Sequence, residues 1–357
     1  MFLYANYCTM CSSKLRLDEF VLRKLLFCMV FFTFSALANT SQMQSMRFNH
    51  LSDYTHGNPR TILRDDYGFL WIGTPDGLLK YDGYKYTRFA PNDKKNHSIS
   101  GLHIRELHLD STGQLWVGTT DGLNKFNYIE NSFTQVDLND STYIYDINES
   151  SDGTIWIATR GGLHAIRNGT PTKIYNSLIN KDGNEVPLNY VRKIHQDSDN
   201  NLWIGTRYHG LLRFNNIQDT FKQHTHSEDI EWVMGITDYT QDELLVSTYQ
   251  NGLFLVNKQN GLIKKIELGI AEPRIRDSIK TSDNTHWIAT IDHGLIVVDN
   301  SELSRLVNNE SDNRSIQSDQ IHSIFEDTNK NIWVGTRNGV STASLDGNSC
   351  LLYTSDA

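Results

Sequence analysis

Cysteine is nearly absent from the part of the chain that carries its repeats. The 357 residues include only 4 Cys. Cys8, Cys11 and Cys28 lie near the start and Cys350 lies in the last ten residues, so residues 39–349 contain none. This excludes a disulfide framework there. The C-x-x-C spacing of the first two falls in a segment that we expect to be removed, so packing must stabilise the fold.

Long hydrophobic runs and an excess of basic residues are also lacking. No run reaches the roughly 18 apolar residues of a membrane-spanning helix. The chain has 33 Lys+Arg against 42 Asp+Glu, a formal net charge of −9. Such a chain has no long-range attraction for phosphate backbones, which argues against nucleic acid as a partner. With 38% hydrophobic and 11% aromatic residues, it is also too rich in order-promoting residues to be disordered.

The first 38 residues have the pattern of a secretory signal peptide. Arg23 and Lys24 precede a short apolar stretch, Leu25 to Leu37, and an A-x-A site ends at Ala38. We predict cleavage after Ala38, a linker over residues 39–44 and a periplasmic location. The alternative is an uncleaved membrane anchor, for which this apolar stretch is short.

A five-residue unit recurs seven times, and it combines an aliphatic residue, Trp, another aliphatic residue, a small residue and Thr. The spacings between successive Thr residues are 45, 40, 47, 42, 42 and 46 residues. A short turn and then Gly with an aliphatic residue follow each Thr. The copies are Leu70–Thr74, Leu115–Thr119, Ile155–Thr159, Leu202–Thr206, Leu244–Thr248, His286–Thr290 and Ile332–Thr336, centred near residues 71, 116, 156, 203, 245, 287 and 333.

Each repeat predicts four short antiparallel strands. An alternating run comes first, then the Trp strand, the Gly-Leu strand and a fourth strand. An aromatic or aliphatic residue marks this fourth strand in six copies: Phe89, Phe133, Tyr175, Phe221, Ile266 and Leu306. Four strands every 40 to 47 residues, with no helical period, predict an all-β fold. We therefore predict a seven-bladed β-propeller of four-stranded antiparallel blades over residues 45–347.

The ends of the repeat region predict how the ring closes. The seventh copy supplies only three strands, and Met46 to Leu51 resembles a fourth, with Phe48 at the marker position. This N-terminal strand should complete the last blade and leave no open edge. Residues 348–357 fit no blade position and resemble a translated sequencing adaptor, so we expect the natural chain to continue differently. The alternative is that Leu351 to Thr354 competes for the last strand position.

The Trp strand also predicts how neighbouring blades pack. The residue two places after Trp is always small, as in Gly73, Gly118 and Ala158. Side chains alternate along a strand, so this small residue shares a face with the Trp. We expect the Trp residues to be core and the small position to seat the ring of another blade.

The first repeat resembles the two-component regulator propeller family. Its consensus D-x-x-G-x-L-W-I-G-T-x-x-G-L-x-x-x-D stands nearly whole between Asp65 and Asp82, whereas WD40 signatures are missing. Copy five departs from the pattern, with Leu245 in place of Trp. The resemblance implies the periplasmic ligand-sensing domain of an inner-membrane receptor. A membrane helix and a histidine kinase or diguanylate cyclase would follow in the parent protein, so the fragment itself is not expected to be an enzyme.

Candidate ligand-binding residues lie in the turns between second and third strands, which share one face of a propeller around its channel. Arg directly follows Thr in three of these turns. Arg recognises carboxylate or sulfate with paired hydrogen bonds, and Tyr offers a flat face to a sugar. We therefore predict an anionic oligosaccharide or carboxylated small molecule as ligand; the alternative is that these are solvated turns. The candidates are Arg160, Arg207, Tyr208, His209, Tyr249, His293 and Arg337.

Two other functions stay open at this point. His209 and His293 occupy equivalent turns and could serve a stand-alone periplasmic lyase with a divalent metal. The chain could also be a scaffold that binds another protein. No nucleophile elbow, phosphate loop, zinc spacing or dinucleotide fingerprint is present. We assign no catalytic residue, metal or cofactor, and expect as partners a ligand and the receptor's own downstream domains, with membrane contact only through segments outside the repeats.

Overall fold

The computed structural model describes residues 46–51, 54–92, 98–139, 142–215, 217–225, 230–299 and 302–345. These residues form 30 β-strands in seven sheets and no α-helix. Within the same ranges, no helix is long and apolar enough to cross a membrane. The predicted signal peptide, the linker over 39–44 and the tail over 348–357 lie outside the described residues.

The strands follow one another blade by blade. The N-terminal strand is β1 (Asn49–His50). Blade one has β2 (Thr61–Arg64), β3 (Leu70–Thr74), β4 (Gly77–Tyr81) and β5 (Tyr86–Phe89). Blade two has β6 (Ile104–Leu109), β7 (Leu115–Thr119), β8 (Leu123–Asn127) and β9 (Ser132–Val136). Blade three has β10 (Ile144–Glu149), β11 (Ile155–Thr159), β12 (Gly162–Arg167) and β13 (Thr170–Tyr175).

The later blades repeat this order. Blade four has β14 (Ser177–Ile179), β15 (Glu185–Pro187), β16 (Val191–Gln196), β17 (Leu202–Thr206), β18 (Leu211–Asn215) and β19 (Thr220–Thr225). Blade five has β20 (Val233–Asp238), β21 (Glu243–Thr248), β22 (Gly252–Asn257) and β23 (Ile263–Ile266). Blade six has β24 (Ile275–Lys280), β25 (His286–Thr290), β26 (Leu295–Asp299) and β27 (Glu302–Leu306). Blade seven has β28 (Ile321–Glu326), β29 (Asn331–Thr336) and β30 (Gly339–Ser344).

The N-terminal strand closes the ring, which confirms the predicted seven-bladed propeller. Strand β1 pairs antiparallel with β30, with Asn49 opposite Thr342. The ladder is shorter than the predicted segment, but Phe48 just before it is only 2% exposed. Blade seven is therefore built from both ends of the repeat region.

Blade four has two strands more than the four that we predicted. The hairpin of β14 and β15 lies outside β19, and β14 pairs with β19 in parallel, with Leu178 opposite Phe221. The spacing from Thr159 to Thr206 is the longest of the six, so this repeat contains additional residues that can form the hairpin. Leu178 is fully buried, which explains why the hairpin docks.

The Trp residues of the repeats are core, as predicted. Each of the six is at most 6% exposed. Each indole Nε1 donates a hydrogen bond to a residue of the turn before its strand. The acceptors are Asp65, Asp110, Ser150, Asp197, Thr285 and Asp327. Leu245 fills the equivalent position in blade five and is 1% exposed.

The small residue after each Trp has a different partner from the one expected. A Cβ added to Gly118 would lie 2.6 Å from Cγ2 of Ile144, and one added to Gly205 would lie 2.4 Å from Cγ1 of Val233. Ile144 and Val233 begin the innermost strands of the following blades. The prediction that an aromatic ring occupies this space is therefore wrong, because the small residue admits the edge of the next blade's innermost strand.

Candidate functional site

The innermost strands of the seven blades line a central channel with a cavity of about 680 Å³. Its mouth is the end where these strands begin. Near the mouth, one residue from each blade lines the cavity at an equivalent strand position. We call this set the arginine tier, and its members are Arg60, Arg105, Tyr145, Arg192, Met234, Arg276 and His322.

The four arginines of this tier lack compensating charge. Among the described residues, none of them has a carboxylate within 4.0 Å. Nε of Arg105 and Nε of Arg276 are buried with no hydrogen-bond partner in that part of the chain. Burial lowers the pKa of Arg276 to about 10, and repulsion from Arg60, Arg105 and Arg192 adds to the effect. The tier is therefore positive and would gain from an anion.

His322 adds two more unpaired polar atoms to the tier. The residue is 8% exposed, and neither ring nitrogen has a hydrogen-bond partner within the described ranges. Burial lowers the pKa of His322 to about 4, with Arg60, Arg276 and Arg337 adding to the shift. A neutral imidazole can donate one hydrogen bond and accept another, so it suits a ligand with hydroxyl groups.

Aromatic rings from blades three to five line one side of the mouth. The Arg192 guanidinium lies 4.2 Å from the ring centroid of Tyr145. Trp232 stacks on Tyr249 with ring centroids 4.3 Å apart. Nε1 of Trp232 is buried and has no partner among the residues that the structure describes. A ligand here would meet flat aromatic rings beside the guanidinium of Arg192.

Four of the residues predicted from the sequence lie together at this mouth. The backbone NH of Arg207 donates to the carbonyl of Tyr190, and the NH of Tyr249 donates to the carbonyl of Trp232. These bonds fix the turns beside the beginnings of the innermost strands. The Arg160 guanidinium lies 5.4 Å from the ring of Tyr190.

Tyr208 belongs to the same group. It is 44% exposed, and its ring centroid lies 5.4 Å from that of Tyr190. The guanidinium of Arg207 lies 5.1 Å from the Tyr208 ring. The structure thus groups Arg160, Arg207, Tyr208 and Tyr249, and of these only Tyr249 lines the cavity itself.

The other three predicted residues lie apart from this group. The backbone NH groups of His209 and His293 donate hydrogen bonds to the hydroxyl groups of Thr206 and Thr290, within their own turns. Neither histidine lines the cavity. The exposed Arg337 donates from its backbone NH to the carbonyl of Gln320. The assignment of all seven residues to ligand binding stays a prediction.

One residue further along each innermost strand, a second set surrounds the channel. We call it the carboxylate tier: Thr61, Glu106, Asp146, Lys193, Gly235, Asp277 and Ser323. Nζ of Lys193 lies 3.1 Å from Oδ1 of Asp146. The backbone NH groups of Ile194 and Ile324, on following blades, donate to Asp146 and Asp277. Two carboxylates of this tier therefore also join blades.

The remaining acid of this tier is Glu106. Burial raises the pKa of its carboxyl to about 8, with Lys193 opposing the rise and Asp146 and Asp277 adding to it. Burial also raises the pKa of Asp277. Desolvation thus disfavours the charged form of Glu106 and Asp277, and the charge of Lys193 only partly opposes this effect.

Sequence reasoning missed both tiers because it considered only the turns. When the repeats are aligned on their Trp residues, Arg stands eleven residues before the Trp in four copies. That alignment would have identified the arginine tier. In the described part of the chain, no three His, Cys, Asp or Glu side chains form a group that could hold a metal ion.

Comparison with known sequences finds a match in four of the repeats. The pattern described as two component regulator propeller matches residues 53–76, 137–161, 185–208 and 315–338. The chain carries two-component regulator propeller repeats. The four matched segments each end near a turn between second and third strands. No curated protein sequence matches the chain significantly.

Solved structures share the fold. The extracellular domain of the hybrid two component system BT3049 from B. thetaiotaomicron superposes with a TM-score of 0.72 at 23% identity, covering 84% of this chain and 42% of that one. The extracellular domain of BT4673 from the same organism gives 0.69 at 23% identity, covering 84% and 39%. Virginiamycin B lyase from Staphylococcus aureus gives 0.65 at 16% identity, covering 84% and 100%. The chain thus spans about two fifths of the first two structures.

Proposed function

We propose that this chain is the periplasmic ligand-sensing propeller of a membrane-bound signal-transduction receptor. Its repeats belong to a family described as two-component regulators, and two similar structures are extracellular domains of two-component systems. The signal-peptide pattern over residues 1–38 supports export. The output domain, a histidine kinase or a diguanylate cyclase, would lie in the parent protein, and this fragment would bind without turnover.

The ligand that the channel suits best is an anion, either a small carboxylated molecule or an anionic oligosaccharide. The observation behind this proposal is the arginine tier, where four guanidinium groups have no nearby carboxylate within the described residues. A carboxylate or sulfate would accept paired hydrogen bonds from a guanidinium. The rings of Trp232 and Tyr249 would pack against the apolar face of a sugar.

Signalling requires that the ligand distinguish two states of the receptor. A ligand shifts an equilibrium only by its difference in affinity for the two states. We propose that binding at the mouth changes how the domains outside the membrane are placed, which then biases the cytoplasmic output. The lyase alternative has less support, because His209 and His293 do not line the cavity and their backbones hold their own turns.

Calorimetric titration of the purified protein with trigalacturonate and with maltotriose tests the proposed ligand class. We expect the acidic trisaccharide to bind and the neutral one to bind at least tenfold more weakly. Arg276→Gln should weaken uronate binding about tenfold or more, because it removes a charge from a buried positive cluster. Arg88→Gln is the matched control, since Arg88 is exposed and bonds the carbonyl of Asp76. Equal binding of both sugars, or equal effects of both substitutions, would contradict the proposal.

A further inference from the structure

The two tiers of the channel place guanidinium and carboxyl groups at adjacent strand positions. The arginine tier has four guanidinium groups, whereas the next residues inward include Glu106, Asp146 and Asp277. Adjacent strand positions are about 3.3 Å apart along the strand. A molecule in the cavity would therefore face guanidinium groups near the mouth and the carboxyl groups of Glu106 and Asp277 a few ångströms deeper.

Not every carboxyl group of the carboxylate tier is paired with a cation. Asp146 is paired with Lys193, the one cation of the carboxylate tier. Glu106 accepts hydrogen bonds from the Thr61 hydroxyl and the backbone NH of Leu107. Within the described ranges, the hydrogen bonds that Asp277 accepts come from the backbone NH groups of Ser278 and Ile324. Among the described residues, no Lys or Arg nitrogen lies within 4.0 Å of Glu106 or Asp277.

Two buried side chains next to these carboxylates also lack partners. The imidazole of His322 is 8% exposed, and the hydroxyl of Ser323 belongs to a residue that is 3% exposed. Both residues line the cavity, and their side-chain polar atoms have no hydrogen-bond partner in the described ranges. Buried polar atoms are rarely left unpaired, so these atoms point to a polar ligand that reaches the carboxylate tier.

We propose that the ligand is zwitterionic, an inference that rests on the proposed function. Its anionic group is held by the guanidinium groups of Arg60, Arg105 and Arg276. An ammonium group, separated from the anion by only a few bonds, lies deeper and donates to Glu106 and Asp277. This class includes amino sugars that carry a phosphate or a sulfate, and other short phosphoamines. An ammonium has three donors, which two carboxylates and the Ser323 oxygen can accept.

Two matched probes test this inference on the purified protein. O-phosphoethanolamine and ethyl phosphate have the same anionic group and the same two-carbon chain, and O-phosphoethanolamine carries an ammonium group in place of one hydrogen atom. Calorimetric titration should show that O-phosphoethanolamine binds about tenfold tighter or more. Glu106→Gln should abolish most of that preference, because the Gln side chain cannot ionise to pair with the ammonium group. Asp277→Asn is a second variant, and the exposed Glu302→Gln is the matched control.

The outcomes separate this inference from the proposed function. If ethyl phosphate binds as tightly as O-phosphoethanolamine, or if Glu106→Gln keeps the full preference, the zwitterionic ligand is wrong while anion sensing stands. The same holds if trigalacturonate binds and neither phosphate does. If O-phosphoethanolamine, ethyl phosphate and trigalacturonate all fail to bind, or if they bind and Arg276→Gln changes none of their affinities, then the proposed function itself fails.

Discussion

Single residues in the channel wall have pKa values shifted from their ordinary values. The pKa of Glu106 is raised by burial and that of Arg276 is lowered by burial. Both shifts disfavour the charged form, and both residues line the same cavity. Groups with shifted pKa values in a cavity are typical of functional sites. Because the shifts store unfavourable free energy in the unbound protein, they also make its stability depend on pH.

Replacement of Glu106 by Gln should stabilise the protein increasingly as pH rises. With the folded pKa raised to about 8 from an ordinary 4.5, Glu106 is protonated in the folded chain and ionised in the unfolded chain between these values. Its contribution is therefore fully favourable below pH 4.5 and is lost as pH rises towards 8. Gln does not titrate. We expect the stability of Glu106→Gln relative to the unsubstituted protein to increase by about 1 to 3 kcal/mol between pH 5 and 8.5.

Urea denaturation of both proteins at pH 5, 7 and 8.5 measures this change. The groups that face Glu106 are Lys193, Asp146 and Asp277, and all three are present in both proteins. The comparison between the two therefore isolates the carboxyl of Glu106. A stability difference that stays constant over this range would show that Glu106 has an ordinary pKa.

At the scale of strands and blades, the contact between neighbouring blades depends on one small residue in the Trp strand. Gly205 in β17 faces Val233, the first residue of β20 in the next blade. The equivalent pair between blades two and three is Gly118 and Ile144. The branched side chain enters the space that the glycine leaves, and the fully buried Trp203 packs in the same cluster. At these two contacts between blades, an added Cβ atom would disturb a packed pair.

A double-mutant cycle on Gly205 and Val233 should show strong coupling. Gly205→Ala should lower the unfolding free energy by about 1 to 3 kcal/mol, because its Cβ would meet Cγ1 of Val233 at 2.4 Å. Val233→Ala removes that methyl group. The loss of unfolding free energy in the double variant should therefore be smaller, by at least about 1 kcal/mol, than the sum of the losses in the two single variants. Denaturant titration measures all four proteins. Val297→Ala in blade six, combined with Gly205→Ala, is the control and should be additive.

The strands were predictable because their residue pattern recurs in all seven copies, whereas the residues of the channel vary from copy to copy, with Arg in the arginine tier in only four of them. Trp, Gly and Thr recur at fixed offsets, which established strand order and the closure by Phe48. The hairpin at Leu178 occurs in one blade only, so the repeat pattern could not predict it. Arg207 and Tyr249 stand in turns that topology brings to the mouth. Glu106, in contrast, lies inside an alternating strand where its neighbours give no sign that it faces a cavity.

At the scale of the whole molecule, the ring is held closed by a pairing between distant parts of the sequence. Phe48 donates from its backbone NH to the carbonyl of Arg314, and Leu51 donates to the carbonyl of Val340. Without β1, the outer edge of β30 would be unpaired. Blades one and seven meet at this closure, and the arginine tier draws Arg60 and His322 from them. The closure therefore also fixes one side of the channel mouth.

Phe48→Ala should destabilise the pairing of β1 with β30 more than it destabilises the other blades of the ring. The ring of Phe48 is 2% exposed, so its removal should cost about 3 to 5 kcal/mol of unfolding free energy. Asn49→Ala is the matched control, because Asn49 is exposed and its backbone pairing with Thr342 does not need the side chain. Amide hydrogen exchange should accelerate in β29 and β30 of Phe48→Ala more than in β11 and β12 of blade three, since local opening follows local loss of packing. Equal acceleration in all blades would mean that the ring opens only as a whole, and unchanged exchange would mean that the closure does not depend on Phe48.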